Sequence, residues 1–331
     1  MTIKRLIGFS LAVLIALSVL TSTTFAGNIL RIDGSSTVYP IANLAAAYWN
    51  SNPPVSASSG YWPAEDYGIV TEKNLANYWA GLYGLERFKV QVGLSHSGVG
   101  LRKLARKNVD IGNSSAAARF EYPERTEEEL NDYIAHIVGY DRQAFSVSEE
   151  IYRAGCTVLR KGEIIGIFKG RITNWKEVDS CDYDKEIQVV GRTVGSGTET
   201  MFRVNVFGEA KVAGLDGVDI RQGQNQMVKQ TLVRSDNAIG YPGVNFISDG
   251  NPAIKVIWDD GNTYSIEDQG WPLGRPLYMY TWKGTSKREA AFLRMILSDF
   301  GQDVFVSKGT DYFKLSEKDQ AEQLEKLPDV G

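Results

Sequence analysis

Short apolar runs alternate with segments in which apolar residues recur every three or four positions, and this order holds along most of the chain. Asn28-Ile-Leu-Arg-Ile32 reads as a strand, Asp33-Gly-Ser-Ser-Thr37 as a turn, and Pro40 to Trp49 as a helix with Ile41, Leu44, Ala45 and Tyr48 on one face. The order repeats with strand Val90-Gln-Val92, turn Ser95-His-Ser-Gly98 and a helix carrying Leu101, Leu104 and Ala105, after which Val109-Asp-Ile-Gly112 is another strand. Glu127 to Tyr133 predicts a polar helix leading to His136-Ile-Val-Gly139. Thr157-Val-Leu159 and Gln188-Val-Val190 predict strands, and Val190 to Thr198 a third strand–turn that enters a helix over Glu199 to Phe207. Ala238-Ile-Gly-Tyr241 predicts a strand returning toward the first domain, and Ala253 to Trp258 and Leu277 to Tyr280 predict further strands. Ser286-Lys-Arg-Glu289 is a capping box that opens a helix with Phe292, Ile296 and Phe300 on one stripe, ended by Gly301. Strands in alternation with helices point to α/β layers, and 331 residues are enough for two domains.

Two stretches break this rhythm. The chain opens with Lys4 and Arg5, an apolar run from Leu6 to Leu20, and Thr24-Phe25-Ala26. A basic start, a short apolar core and small residues before a break predict a signal peptide over residues 1–26, cleaved before Gly27. A retained membrane anchor is the alternative, but the run is short for a span and polar residues follow it. No Cys stands at the cleavage site, so a lipid anchor is not indicated. The expected location is therefore periplasmic or secreted. The second stretch, Pro53 to Phe88, carries Tyr61, Trp62, Tyr67, Tyr78, Trp79, Tyr83 and Phe88, and reads as a surface subdomain packed by its own aromatics.

Composition adds limits. Hydrophobic residues make up 43% and charged residues 23%, which excludes a disordered or multispan membrane chain. Formal charge is −4, and loss of Lys4 and Arg5 with the leader makes the mature chain −6. No basic block offers a nucleic-acid footprint, and the acidity on its own also argues against an anionic ligand. Cys156 and Cys181 are the only cysteines. An even count in an exported chain predicts one disulfide, with two buried thiols as the alternative, and without C-x-x-C spacing a redox role is not expected.

The chemistry-bearing candidates are the three turns Gly34-Ser35-Ser36-Thr37, Ser95-His96-Ser97-Gly98 and Gly195-Ser196-Gly197-Thr198, each between a strand and a helix. A helix start offers free backbone N–H groups and a partial positive charge, hydroxyls add donors, and Gly admits close approach. Converging, they would bind an anion without any net positive charge. Arg192, four residues before Ser196, can add a planar charged fork. Each turn alone is equally explained by helix capping, and Ser196-Gly-Thr-Glu199 is itself a capping-box pattern.

Enzyme readings find less support. His96 and His136 are the only histidines and stand in no metal-ligand spacing. Gly195-Ser196-Gly197 lacks the spacing of a nucleophile elbow, and neither a Walker lysine nor a convincing dinucleotide fingerprint is present. His96 and Ser97 as base and nucleophile would point to opposite sides of an extended segment. No cofactor or metal is expected.

The order Ile32-Asp-Gly-Ser-Ser-Thr-Val-Tyr-Pro40, Ser97-Gly98, Val109-Asp-Ile-Gly-Asn-Ser-Ser115, Ile167-Phe-Lys-Gly-Arg-Ile-Thr-Asn-Trp175, Arg192-Thr-Val-Gly-Ser-Gly-Thr198 and Ala238-Ile-Gly-Tyr241 resembles the phosphate-binding proteins of high-affinity phosphate ABC transporters. The resemblance implies an α/β fold of the type II periplasmic binding protein kind. Each of two lobes would be a central sheet flanked by helices, with the ligand in the cleft. Lobe I would be residues 27–138 with 246–331, including an insertion over 53–89, and lobe II residues 139–245. It further implies a monomer that takes inorganic phosphate to ABC permease subunits, without catalysis. By motif position Ser36 Oγ and the Thr37 N–H would donate to phosphate, joined by Ser97 and Gly98, and by Arg192, Ser196, Gly197 and Thr198. Ser115 stands where the family often has an Asp that accepts the proton of hydrogen phosphate, which moves phosphate-over-sulfate discrimination to another acceptor such as Asp66 or Asp110. Alternatives are a binder of another tetrahedral oxyanion, and a secreted phosphatase or adhesion protein on the same fold.

Overall fold

Alternation begins in the first strand. In β1 (Ile29–Gly34) Leu30 and Ile32 are buried while Arg31 between them is exposed, the period of two that places one face of a strand against a core. This computed structural model describes residues 28–51, 75–210, 215–268 and 270–331. The expected leader, together with Tyr61, Trp62, Asp66 and Tyr67, lies outside the described residues.

Strands β2 (Lys89–Val92) and β3 (Ile111–Ser114) flank β1 in parallel. β4 (Tyr133–Arg142) and β12 (Gly274–Trp282) complete an antiparallel side, giving the order β2-β1-β3-β12-β4. One face is covered by α1 (Tyr39–Ser51), α2 (Leu75–Gly81) and α7 (Lys287–Leu297), whose Ile41, Trp49, Trp79 and Phe292 share a core with Leu30, Ile111 and Met279. On α1 the buried positions are Ile41, Ala42, Ala45, Ala46 and Trp49, while Leu44 and Tyr48 are only partly covered. Trp49, the bulkiest side chain, takes the inward place and donates Nε1 to the Phe88 carbonyl at 2.8 Å. Trp79, Tyr83 and Phe88 belong to this same core, so the described part of the aromatic stretch packs on the first lobe rather than on itself.

The chain crosses at residues 143–145 into a second sheet. It comprises β5 (Ser146–Val147), β7 (Gln188–Arg192), β8 (Ile220–Gln222) and β9 (Ala238–Gly240), in the order β5-β9-β7-β8. β9 therefore lies inside the second sheet, not on a path back to the first. A third sheet joins β6 (Val158–Arg160), β10 (Lys255–Ile257) and β11 (Thr263–Tyr264). Ile254, Val256, Trp271 and Leu273 share the second core with Phe145, Phe168 and Phe202. Residues 246–273 were expected in lobe I. Parallel pairing of β10 with β6 and the Trp271 Nε1 bond to the Gln143 carbonyl at 2.9 Å hold them to the second lobe instead. Cys156 and Cys181 form a disulfide within that core.

Two further elements differ from expectation. The polar helix stops at Leu130, and Tyr133 already pairs with Trp282 in the β4–β12 ladder, because cross-strand aromatic packing outweighs local helical pattern. The Ser286–Glu289 capping box is formed, but α7 ends at Leu297, where extended Ser298 caps a separate turn by accepting the Gly301 N–H at 3.1 Å.

The first lobe thus presents three parallel strand ends side by side. Gly34 has φ +139°, and a Cβ on it would lie 2.2 Å from the Asn113 carbonyl oxygen. Only Gly lets β1 turn out this close to β3. Ligands of open α/β sheets collect outside such carboxyl ends, where neighbouring connections diverge.

Candidate functional site

Ser36 and Thr37 leave the end of β1, Ser97 opens α3 (Ser97–Ala105) after β2, and Ser115 follows β3. Opposite them, Arg192 ends β7, and Ser196, Gly197 and Thr198 lead into α5 (Gly197–Phe207). Ser36, Thr37, Ser97, Ser115, Arg192, Ser196 and Thr198 are all buried. Direct bonds join the two lobes here. Thr37 Oγ1 lies 3.2 Å from Thr198 Oγ1, the Gly197 N–H donates to Ser97 Oγ at 3.2 Å, and the Gly98 N–H donates to the Gly195 carbonyl at 3.1 Å.

Simple capping does not account for these hydroxyls. Ser196 occupies the N-cap of α5 but its side chain accepts no cap hydrogen bond. Glu199, the expected capping-box partner, instead receives Arg203 at 2.7 Å, Arg221 at 3.4 Å and the Tyr241 hydroxyl. The Tyr241 oxygen in turn accepts the Arg192 N–H at 2.9 Å, which steadies the end of β7. At α3 the N-cap position is His96, with no side-chain cap bond.

The donor sense of each hydroxyl follows from its neighbours. Ser97 Oγ accepts the N–H groups of Ser115 at 3.1 Å and Gly197 at 3.2 Å, which engages both lone pairs, so its proton is left to donate. Ser36 Oγ accepts from Arg192 Nη2 at 3.3 Å, and a guanidinium can only donate. Ser35 Oγ accepts the Thr37 N–H and donates to Ser115 Oγ at 3.1 Å. The protons of Ser36, Ser97 and Ser115 are thereby all directed toward further acceptors.

Arg192 is 1% exposed and donates to the carbonyls of Gln222 at 3.1 Å and Gly223 at 2.8 Å, to Asn225 Oδ1 at 2.5 Å and to Ser36 Oγ. Among the described residues none of its hydrogen-bond partners is a carboxylate. Burial pulls its pKa down to about 10, with Arg275 acting in the same direction and Tyr241 and Glu199 opposing it. The group remains a cation at neutral pH. A buried cation bonded to neutral acceptors, in one cluster with serine hydroxyls left to donate, is complementary to an anion.

Several contributors escaped sequence reasoning. Asn225 begins α6 (Asn225–Arg234) and spans from Arg192 to Thr37 Oγ1, the latter at 2.9 Å. Arg275 on β12 donates to Thr37 Oγ1 at 3.3 Å and is ion-paired with Asp141 at 2.5 Å, both side chains fully buried. Burial raises the Asp141 pKa while Arg275 opposes that shift. Gln143 Nε2 donates to the Thr198 carbonyl at 2.7 Å, and the Tyr312 hydroxyl to the Thr37 carbonyl at 2.7 Å. A fourth strand–turn–helix, β8–Gly223–α6, was the available signal for Asn225. Nothing in sequence pairs Asp141 with Arg275.

Three backbone donors expected to face a ligand are engaged elsewhere: Thr37 with Ser35 Oγ at 3.2 Å, Gly98 with Gly195 and Gly197 with Ser97. Asp110, offered as an acceptor, is half-buried immediately before β3 and receives the Arg31 N–H at 2.6 Å. His96 and Ser97 do not form a base–nucleophile pair, since both Ser97 lone pairs are taken by N–H groups from Ser115 and Gly197. Burial, Arg102 and Arg192 all lower the His96 pKa.

A family model described as a PBP superfamily domain matches residues 70–299. The phosphate-binding protein PstS of Staphylococcus saprophyticus is 25% identical over 252 residues, 73% of this chain and 76% of that protein. PstS of Staphylococcus epidermidis is 24% identical over 255 residues, 73% and 74% of the two chains. Among solved structures, an ABC-type phosphate transport receptor from Vibrio cholerae aligns with TM-score 0.56 at 20% identity, over 86% of this chain and all of that one. A phosphate ABC transporter substrate-binding protein from Clostridium perfringens, solved with bound phosphate, aligns with TM-score 0.63 at 22% identity, over 87% of this chain and 100% of that one.

Proposed function

The chain belongs to the PBP superfamily, and from that premise we propose that it captures inorganic phosphate between its two lobes for delivery to an ABC permease. The observation that carries this reading is Arg192, buried and, among the described residues, bonded only to neutral acceptors. Its charge is compensated when a phosphate oxyanion enters the ring of Ser36, Ser97, Ser115, Ser196 and Thr198. Similarity to phosphate-binding proteins of Staphylococcus supports the ligand class.

Capture in this reading is non-covalent. A serine nucleophile needs a lone pair for phosphorus, and those of Ser97 are held by two N–H groups. Closure brings residues of the second lobe against Ser36, Thr37 and Ser97, and the closed face is what a permease reads. We assign lobe I to residues 28–142 and 274–331 and lobe II to 143–273, following the sheets and cores. Export as a monomer after loss of residues 1–26 belongs to the same reading, supported by the basic, apolar and small order of that segment. Among the described residues no helix is long and apolar enough to cross a membrane.

Isothermal titration of the purified mature chain with phosphate, with sulfate as comparison, tests the proposal. We expect saturable one-site phosphate binding with a rise in Tm. No heat and no Tm change up to millimolar phosphate would overturn it.

A further inference from the structure

Asn225 is buried at the start of α6 and makes two contacts, one to Arg192 in its own lobe and one across the cleft to Thr37. Arg192 Nη1 donates to its Oδ1 at 2.5 Å, and its Nδ2 donates to Thr37 Oγ1 at 2.9 Å. Chemistry fixes which end faces which neighbour. A guanidinium has no acceptor, so the atom toward Arg192 must be the carbonyl, and the NH2 then faces Thr37. Thr37 Oγ1 also receives Arg275 Nη2 at 3.3 Å. With both lone pairs engaged, its proton goes to Thr198 Oγ1, 3.2 Å away. Thr198 thus accepts from Thr37, and its own proton is left for another acceptor.

We propose that Asn225 is a positioning residue for anion capture: it ties Arg192 to Thr37 without placing a carboxylate on the guanidinium. The inference rests on the phosphate-capture reading. Only a neutral side chain with an acceptor and a donor on one plane fulfils both tasks. A carboxylate of the same shape would pair with Arg192 and oppose the incoming anion. It would also face the Thr37 oxygen with an acceptor, which forces the Thr37 proton away from Thr198 and undoes the order of donors. A hydrophobic residue would leave an Arg192 N–H and the Thr37 lone pair unmatched. The groups facing Asn225 from other elements are Arg192 on β7, Thr37 after β1 and, through Thr37, Arg275 on β12.

The test compares Asn225→Asp and Asn225→Ala with wild type by phosphate titration and by thermal unfolding without phosphate. Asn225→Asp is expected to weaken phosphate binding by roughly 10- to 150-fold, the effect of losing one charge-assisted bond. Its ligand-free Tm should be equal to or above that of wild type, because the new carboxylate neutralises a buried cation. Asn225→Ala should weaken binding by roughly tenfold and lower the ligand-free Tm. Opposite movement of affinity and stability in Asn225→Asp is something a purely structural residue does not produce. Phosphate affinity of Asn225→Asp within about threefold of wild type, or affinity and ligand-free Tm falling together in both variants, overturns the inference. Failure of wild type to bind phosphate would instead remove the reading on which it rests.

Discussion

Replacing Arg192 with Met removes the charge while keeping much of the volume. Four of the five guanidinium N–H groups of Arg192 are already engaged, so in a closed complex the remaining Nη1–H would make one charge-assisted bond to phosphate, about 1.5–3 kcal/mol. Its loss amounts to roughly 10- to 150-fold in Kd. Stability without ligand should respond differently. A pKa held down to about 10 by burial corresponds to about 3 kcal/mol against the charged form, so neutralising the side chain relieves a cost. Against this, the carbonyls of Gln222 and Gly223 and Asn225 Oδ1 lose their donor. The two effects oppose, and the ligand-free Tm should move little while the phosphate-induced rise in Tm disappears. Calorimetric titration paired with thermal scans at several phosphate concentrations measures both. Should Arg192→Met bind phosphate within about threefold of wild type, the idea that a buried cation without a bonded carboxylate drives capture is wrong.

Other outcomes follow from local geometry. A Cβ at Gly197 would lie 2.3 Å from Ser97 Oγ and 2.6 Å from Ser115 Oγ. Gly197→Ala should therefore hinder lobe closure, weakening phosphate binding by more than about tenfold. X-ray scattering of the variant should show no compaction on adding phosphate. His136 is fully buried and its pKa is lowered to about 4 by burial and by Lys326. The unfolded chain then binds more protons between the ordinary histidine value and 4. Stability is lost as pH falls through that window, by up to about 3 kcal/mol, and His136→Gln should flatten the loss in denaturant titrations. The Cys156–Cys181 disulfide closes a separation of 25 residues. Cys156→Ser should cost about 3 kcal/mol of stability, read as a shift of the urea midpoint, with phosphate affinity nearly unchanged.

The parts of the site legible in sequence are those where one short segment holds the whole signal. Gly34 to Thr37 and Arg192 to Thr198 carry their glycines, hydroxyls and charge within a few residues, between a strand and a helix that periodicity finds independently. Asn225, Arg275 and Asp141 were not legible for the opposite reason. Asp141 and Arg275 are 134 residues apart, and each alone resembles an ordinary surface charge. Only the antiparallel register of β4 and β12, which sets Arg275 opposite Asp141, makes them partners. The placement of residues 246–273 missed for a similar reason, since pairing of β10 with β6 is long-range. Net charge was the least informative quantity. The chain is acidic overall, yet the cluster contains a buried guanidinium whose hydrogen-bond partners are all neutral.

Ser97 has one consequence that distances alone do not express. Its oxygen receives one N–H from Ser115 in its own lobe and one from Gly197 in the other. In the proposed capture, parting of the lobes would remove the second bond and leave the hydroxyl held by Ser115 alone, with more settings open to its proton. The same holds for Ser36 without Arg192 and for Thr37 without Asn225. Closure would then freeze a set of small rotors, an entropic cost that opposes binding. Affinity can then be tuned at a distance. Any substitution that biases a rotor in the open form toward its closed setting tightens binding without adding a single contact to the anion.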